Sequence, residues 1–140
     1  MIILDTNVIS ELMRATPDPS VVAWADRQSE ATIFVTAITL AEIRFGLASL
    51  PAGRRRAALS AAFEDGIRPT FGTRVLDFDE SASRAYGELR AEARAKGAAV
   101  GDVDAMIAAI ARVHRCDVAT RDVAPFRAAG VRVVNPFDEG

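Results

Sequence analysis

The sequence is poor in the side chains that most often carry chemistry. It has one cysteine, Cys116, and one histidine, His114. A lone cysteine excludes an internal disulfide and points to a reducing compartment. With one thiol and one imidazole, both distant in sequence from the chain's candidate acidic ligands, zinc is disfavoured. A lone histidine also argues against paired-histidine acid–base cleavage of RNA. Lys96 is the only lysine among 17 basic residues. Aromatics are 6% of the chain while alanine is abundant, so the core should be aliphatic and rich in helices. The formal net charge is −2, which leaves no general basic field. That weighs against a surface that holds nucleic acid all round, but not against a local basic rim. Long apolar runs are missing too. The most tempting window, Ala31 to Leu50, contains Glu42 and Arg44 and falls short of the ~20 apolar residues a membrane span needs. The start has no basic leader segment, and Asp5 interrupts its apolar run. A soluble, cytoplasmic protein without membrane association is expected. At 140 residues, half of them hydrophobic, the chain suits one domain, 1–140.

What is there is an alternation of short apolar runs and helical patterns. Ile2–Leu4 reads as a buried parallel strand. Asp5-Thr6-Asn7 supplies capping residues for a helix from about Val8 to Arg14, broken by Pro17 and Pro19. A second helix runs from about Ser20 to Arg27. Ile33–Thr36 is the next strand, and Thr39 can cap a helix through Leu50, ended by Pro51 and Gly53. Arg54 to about Glu64 is a further helix, closed by Gly66 and Pro69. Val75–Phe78 is a strand, and Ser81 opens a helix to about Lys96, closed by Gly97. Asp102 caps the next helix, to about His114, whose position suits a helix C-terminus. Val118–Thr120 is a strand, Pro125–Ala129 a short helix stopped by Gly130, and Val131–Val134 the last strand. The expected fold class is α/β, a central, mostly parallel β-sheet flanked by α-helices on both faces.

Four acidic residues then acquire a common address. Asp5 directly follows the first strand, and Asp122 closely follows Val118–Thr120. Asp104 opens an Ala/Ile-rich helix, and Glu42 lies on a helix among Ile38, Leu40, Ile43, Phe45 and Leu47. In open α/β sheets, ligands bind outside the carboxyl ends of the strands. Carboxylates gathered there repel, by about 4 kcal/mol per pair at about 4 Å and an effective dielectric of about 20. Four together call for a cation, and an all-oxygen ligand set suits Mg²⁺ or Mn²⁺. Each has a plainer reading alone. Asp5 can serve only as a cap, Glu42 can pair with Arg44 or Arg90, and Asp122 can be an ordinary turn aspartate. Asp102 competes with Asp104. Residues two apart on a helix point about 200° away from each other, so Asp102 is taken as the N-cap and Asp104 as the ligand. Arg121, beside Asp122, can hold a phosphate oxygen or be an exposed turn arginine. Arg54-Arg55-Arg56 can follow a nucleic-acid backbone, though a solvated helix start or a partner contact is favoured.

Five segments in order resemble a PIN domain. They are Ile3-Leu4-Asp5-Thr6-Asn7-Val8-Ile9-Ser10, Ala37-Ile38-Thr39-Leu40-Ala41-Glu42-Ile43-Arg44, Asp104-Ala105-Met106-Ile107-Ala108-Ala109, Ala119-Thr120-Arg121-Asp122 and Val133-Val134-Asn135-Pro136-Phe137. The likeness is greatest to VapC-type toxins of bacterial toxin–antitoxin pairs, in their FitB-like branch, and covers essentially the whole chain. The resemblance implies a metal-dependent endoribonuclease that cuts single-stranded RNA. It implies Asp5, Glu42, Asp104 and Asp122 as the acidic quartet and metal ligands, and Thr6, Asn7 and Thr120 as polar residues supporting them. It further implies a homodimer, held inactive by a small DNA-binding antitoxin, with operator DNA touched only through that partner.

Three other readings compete. A receiver-type phosphoacceptor needs a lysine after a late strand, and Lys96 falls at a helix end. A haloacid-dehalogenase-type phosphatase needs a second aspartate two residues after the first, where Asn7 stands. A non-catalytic binding module of the same fold, acting through a partner in transcriptional regulation, is the alternative from a different class. The presence of all four acidic residues gives it no support. The helices also carry apolar side chains, Val21-Val22-Trp24 and Ile43-Phe45-Leu47, that look like more than a small core absorbs.

Overall fold

The computed structural model describes residues 1–138. Five parallel strands form its centre: β1 (Ile2–Leu4), β2 (Ile33–Thr36), β3 (Val75–Leu76), β4 (Asp117–Ala119) and β5 (Val133–Val134), in the spatial order β3-β2-β1-β4-β5. The chain runs outward from β1 to β3, then returns to the other side of β1 with β4. The reversal falls between β1 and β4, which is where a doubly wound sheet opens its crevice.

Alternation along these strands divides the core in two. Ile3 and Val118 face a cluster built with Leu89, Ile107, Ile110 and Phe126. Leu4, Val35 and Ala119 face the other, with Val8, Val21, Trp24, Ile43, Phe63 and Phe71. Helices α6 (Glu80–Ala95), α7 (Asp102–His114) and α8 (Val123–Ala128) supply the first cluster. Helices α1 (Thr6–Leu12), α2 (Pro19–Asp26), α3 (Ala37–Ala48) and α5 (Arg68–Phe71) cover the second. The expected sheet covered on both faces is present, and it is parallel throughout.

Element ends differ from the sequence reading for local reasons. Asp5 itself is the N-cap of α1 and accepts the Thr6 N–H at 2.8 Å, so the helix starts at Thr6 rather than Val8. Asp18 caps α2, and Pro19 opens that helix instead of merely breaking the one before. Thr36, not Thr39, caps α3: its hydroxyl accepts the Thr39 N–H at 3.0 Å. The helix begun by α4 (Arg54–Ala61) does not stop at Gly66. It passes through a π-helical segment, Ala62–Ile67, into α5, and only Gly72, at φ 54°, turns the chain away. Asp79 caps α6 ahead of the expected Ser81. The apolar excess is smaller than expected, because Val21, Trp24 and Ile43 are buried; Phe45 is the one left 75% exposed.

Candidate active site

Register explains why the site forms. β1 and β4 pair Leu4 with Ala119, so Asp5 and Thr120 emerge side by side at the carboxyl edge. The Asp5 N–H donates to the Ala119 carbonyl at 2.9 Å. The Thr120 hydroxyl donates to Asp5 Oδ2 at 2.8 Å, and it accepts from Asn7 Nδ2 and from the Asp122 N–H, each at 3.0 Å. Asn7 Nδ2 also reaches Asp5 Oδ2 at 3.4 Å, while Asn7 Oδ1 accepts the Arg121 N–H at 3.0 Å. These bonds weld the β1–α1 junction to the β4–α8 loop and fix the Asp5 carboxylate.

Glu42 comes from α3, beside α1. The Thr6 hydroxyl donates to Glu42 Oε1 at 2.7 Å. Glu42 has neither of the arginine partners its sequence context offered. Arg44 pairs with Glu64 at 2.9 Å, and Arg90 bonds Asp102 and Tyr86. Helix α7 runs antiparallel to the strand it precedes, so its first turn, with Asp104, lies at the same sheet edge.

Asp102 is not the N-cap expected of it. Gly101 occupies the cap, with extended backbone and no side-chain bond, and Asp102 is the first helical residue. Its carboxylate turns across the α6–α7 hairpin to Arg90. The helical rotation between residues two apart sends Asp104 the other way, toward Glu42 and Asp122, whose charges act on it.

Electrostatically the centre is uncompensated. Asp5 is 4% exposed. Burial pushes its carboxyl up from 3.8 to about 6, against the Thr120 and Thr6 hydrogen bonds, and the Asp104 and Glu42 charges push the same way. Asp104 is also raised, first by burial and then by Asp122 and Glu42. The ion pairs among the described residues involve Glu11, Glu64, Glu80, Asp102, Glu92 and Asp117, never the four site acids.

Donor chemistry and charge therefore fit a hard divalent cation. Spacing adds a condition: among the described residues no three acidic, histidine or cysteine side chains close into a metal cage. An ion that keeps several waters and takes one or two carboxylates, as Mg²⁺ does, suits such an open set.

Comparison with known proteins gives the family. The PIN domain family model matches residues 2–131. The chain belongs to the PIN domain family. This PIN domain is 50% identical over 138 residues to "VapC ribonuclease Y4jK" of Sinorhizobium fredii, covering 99% of both chains. It is 42% identical over 139 residues to "Toxin FitB" of Neisseria gonorrhoeae, covering 99% of this chain and 100% of the relative. A solved structure of FitAB bound to an IR36 DNA fragment superposes with a TM-score of 0.93 at 43% identity, covering 98% of this chain and 96% of that one.

Two features escaped the sequence reading. Glu11, 6% exposed, takes the Asp18 N–H at 2.9 Å and Arg14 at 3.0 Å, and so fixes the α1–α2 turn; the Glu11–Arg14 spacing was the available signal. The Arg121 guanidinium lies on the Phe137 ring, 3.6 Å from its centroid, a contact no local pattern announces.

Proposed function

We propose that this chain is the toxin of a type II toxin–antitoxin pair, an endoribonuclease that cuts single-stranded RNA with Mg²⁺ or Mn²⁺. The observation that carries this is the buried Asp5 joined by Asp104, Glu42 and Asp122 at the switch point of the sheet, with no cation of the protein's own among them. Names of relatives add support: one similar protein is called a ribonuclease and another a toxin.

Asp5 and Asp104 are the principal ligands, with Glu42 and Asp122 completing the set. A divalent ion held there supplies charge stabilisation at the scissile phosphate and lowers the pKa of its bound water. The chain's own residues do the rest. Thr120 and the Thr6 N–H hold Asp5 in one rotamer, and Asn7 locks Thr120. The Thr6 hydroxyl orients Glu42, leaving its second oxygen to orient the attacking water or accept its proton. Four carboxylates repel an RNA strand on their own, so substrate and ion should bind together. Cleavage of a short single-stranded RNA by purified protein should require Mg²⁺ or Mn²⁺ and stop on chelation with EDTA. Activity that survives rigorous chelation rules this mechanism out. A protein that cuts no RNA under any divalent ion but still binds its partner supports the non-catalytic alternative.

The partner is a small DNA-binding antitoxin that covers the acidic site, and operator DNA is met only through it. This follows from the resemblance and from the likeness to a FitAB complex solved on DNA. The active form is a homodimer, with the exposed Phe45 among the apolar groups available to an interface. Light scattering of the isolated chain at micromolar concentration should give twice the 15.0 kDa chain mass; a clean monomer counts against the dimer. No helix among the described residues is long and apolar enough to cross a membrane, and a cytoplasmic location is part of the same reading.

A further inference from the structure

Arg121 stands one residue before Asp122, its backbone tied to Asn7, yet its charge is not spent on the carboxylates beside it. Among the described residues Arg121 makes no ion pair. Its guanidinium is stacked on Phe137 instead, at 3.6 Å. The other two arginine–aromatic contacts, Arg44 over Phe63 and Arg90 over Tyr86, are longer, at 5.8 and 5.5 Å. Both of those arginines also bind an acid. Only the Arg121 stack is close and otherwise uncommitted.

The ring is held deliberately in place. The Phe137 N–H donates to Asn135 Oδ1, Asn135 Nδ2 to Asp138 Oδ2, and the Asp138 N–H to the Asn135 carbonyl, each at 3.1 Å. Phe137 also packs against the cluster that contains Leu4 and Ala119, the residues just before Asp5 and Thr120. The turn thus refers the ring to the same strand ends that carry the site.

Stacking uses the face of a guanidinium and leaves its in-plane N–H edge free. An unrestrained arginine next to uncompensated carboxylates folds onto them and blocks a cation. We propose that Phe137 is a positioning residue: it holds Arg121 off the acidic quartet, with its N–H edge turned to a backbone phosphate of the RNA strand flanking the cut. The inference rests on the ribonuclease reading above. A bidentate guanidinium–phosphate contact supplies charge-assisted hydrogen bonds where the acidic site itself repels the strand.

Steady-state cleavage of a short single-stranded RNA at saturating Mg²⁺ tests this, over a range of salt. Arg121→Ala and Phe137→Leu should each raise KM about tenfold while kcat stays within about twofold. Each should also flatten the log–log salt dependence of KM by about 0.7, the loss of one phosphate contact on a single strand. Phe137→Tyr and Phe137→Trp should keep KM near wild type, because either ring offers a face. The Arg121→Ala/Phe137→Leu double variant should be no worse than Arg121→Ala. The proposal is overturned if Phe137→Leu leaves KM and its salt dependence unchanged. It is equally overturned if the two losses multiply in the double variant, or if kcat falls along with melting temperature. If the wild-type chain cuts no RNA, both readings fall; if it cuts and Arg121→Ala changes nothing, only this one does.

Discussion

Asp5→Asn and Asp104→Asn are each expected to lower kcat for RNA cleavage by at least about a thousandfold, the scale set by the several kcal/mol a bound cation contributes to phosphoryl chemistry. Both substitutions keep the shape of the side chain and remove its charge. The fold should survive them, because Asp5 caps α1 through an oxygen that asparagine retains, and Asp104 makes no ion pair that others depend on. Asp102→Asn is the contrasting control. Its carboxylate is exposed and turned to Arg90, and surface pairs of this kind contribute little. Cleavage by Asp102→Asn should stay within about twofold of wild type, the change expected of a surface charge. Should Asp102→Asn be inactive and Asp104→Asn active, the two positions have been assigned the wrong way round. Circular dichroism of each variant separates a lost ligand from a lost fold.

The sequence carried the strand–helix alternation and the address of the acids because both depend on local pattern. A short β-branched run followed by Asp5 marks a strand end, whatever surrounds it. The rotation between Asp102 and Asp104 is fixed by helix geometry, so one of them had to leave the site. Which one caps the helix was not local. Gly101 fills that place, and the Arg90 on a neighbouring helix draws Asp102 away. Glu42 shows the same limit. Arg44 and Arg90 were reasonable partners by charge, but Glu64 and Asp102 took them, and the hydroxyl of Thr6 took Glu42. The π-helical passage past Gly66 and the stack of Arg121 on Phe137 depend on tertiary packing alone, and no periodicity in the sequence encodes them.

Metal-free protein is expected to lose stability through Asp5 as pH rises from about 4 to about 7, and Asp5→Asn should remove most of that loss. The sign follows from proton counts. The Asp5 carboxyl ionises near 3.8 in the unfolded chain and near 6 when buried in the fold. Below about pH 3 it is protonated in both states and no penalty arises, and at pH 4 the penalty is still small. Between the two pKa values the unfolded chain has given up the proton and the native protein still holds it, so unfolding becomes easier with each step of pH. Above about pH 7 both are ionised and the penalty is complete, about 3 kcal/mol for a shift of about two units. Asp104 is raised as well and adds in the same direction. Exposed acids that gain a partner, such as Glu64 beside Arg44, act oppositely, so the total curve is not the readout; the difference between wild type and Asp5→Asn is. Urea unfolding in EDTA should show the two proteins nearly equal at pH 4. At pH 7.5 Asp5→Asn should be the more stable, by about 1–3 kcal/mol once a weaker bond to Thr120 is allowed for. Adding Mg²⁺ at pH 7.5 should stabilise wild type more than the variant, since an ion that binds only the native state shifts the equilibrium toward it. An advantage of Asp5→Asn that is the same at both pH values would mean that Asp5 is not the group being titrated, and that its burial is offset by something other than a cation.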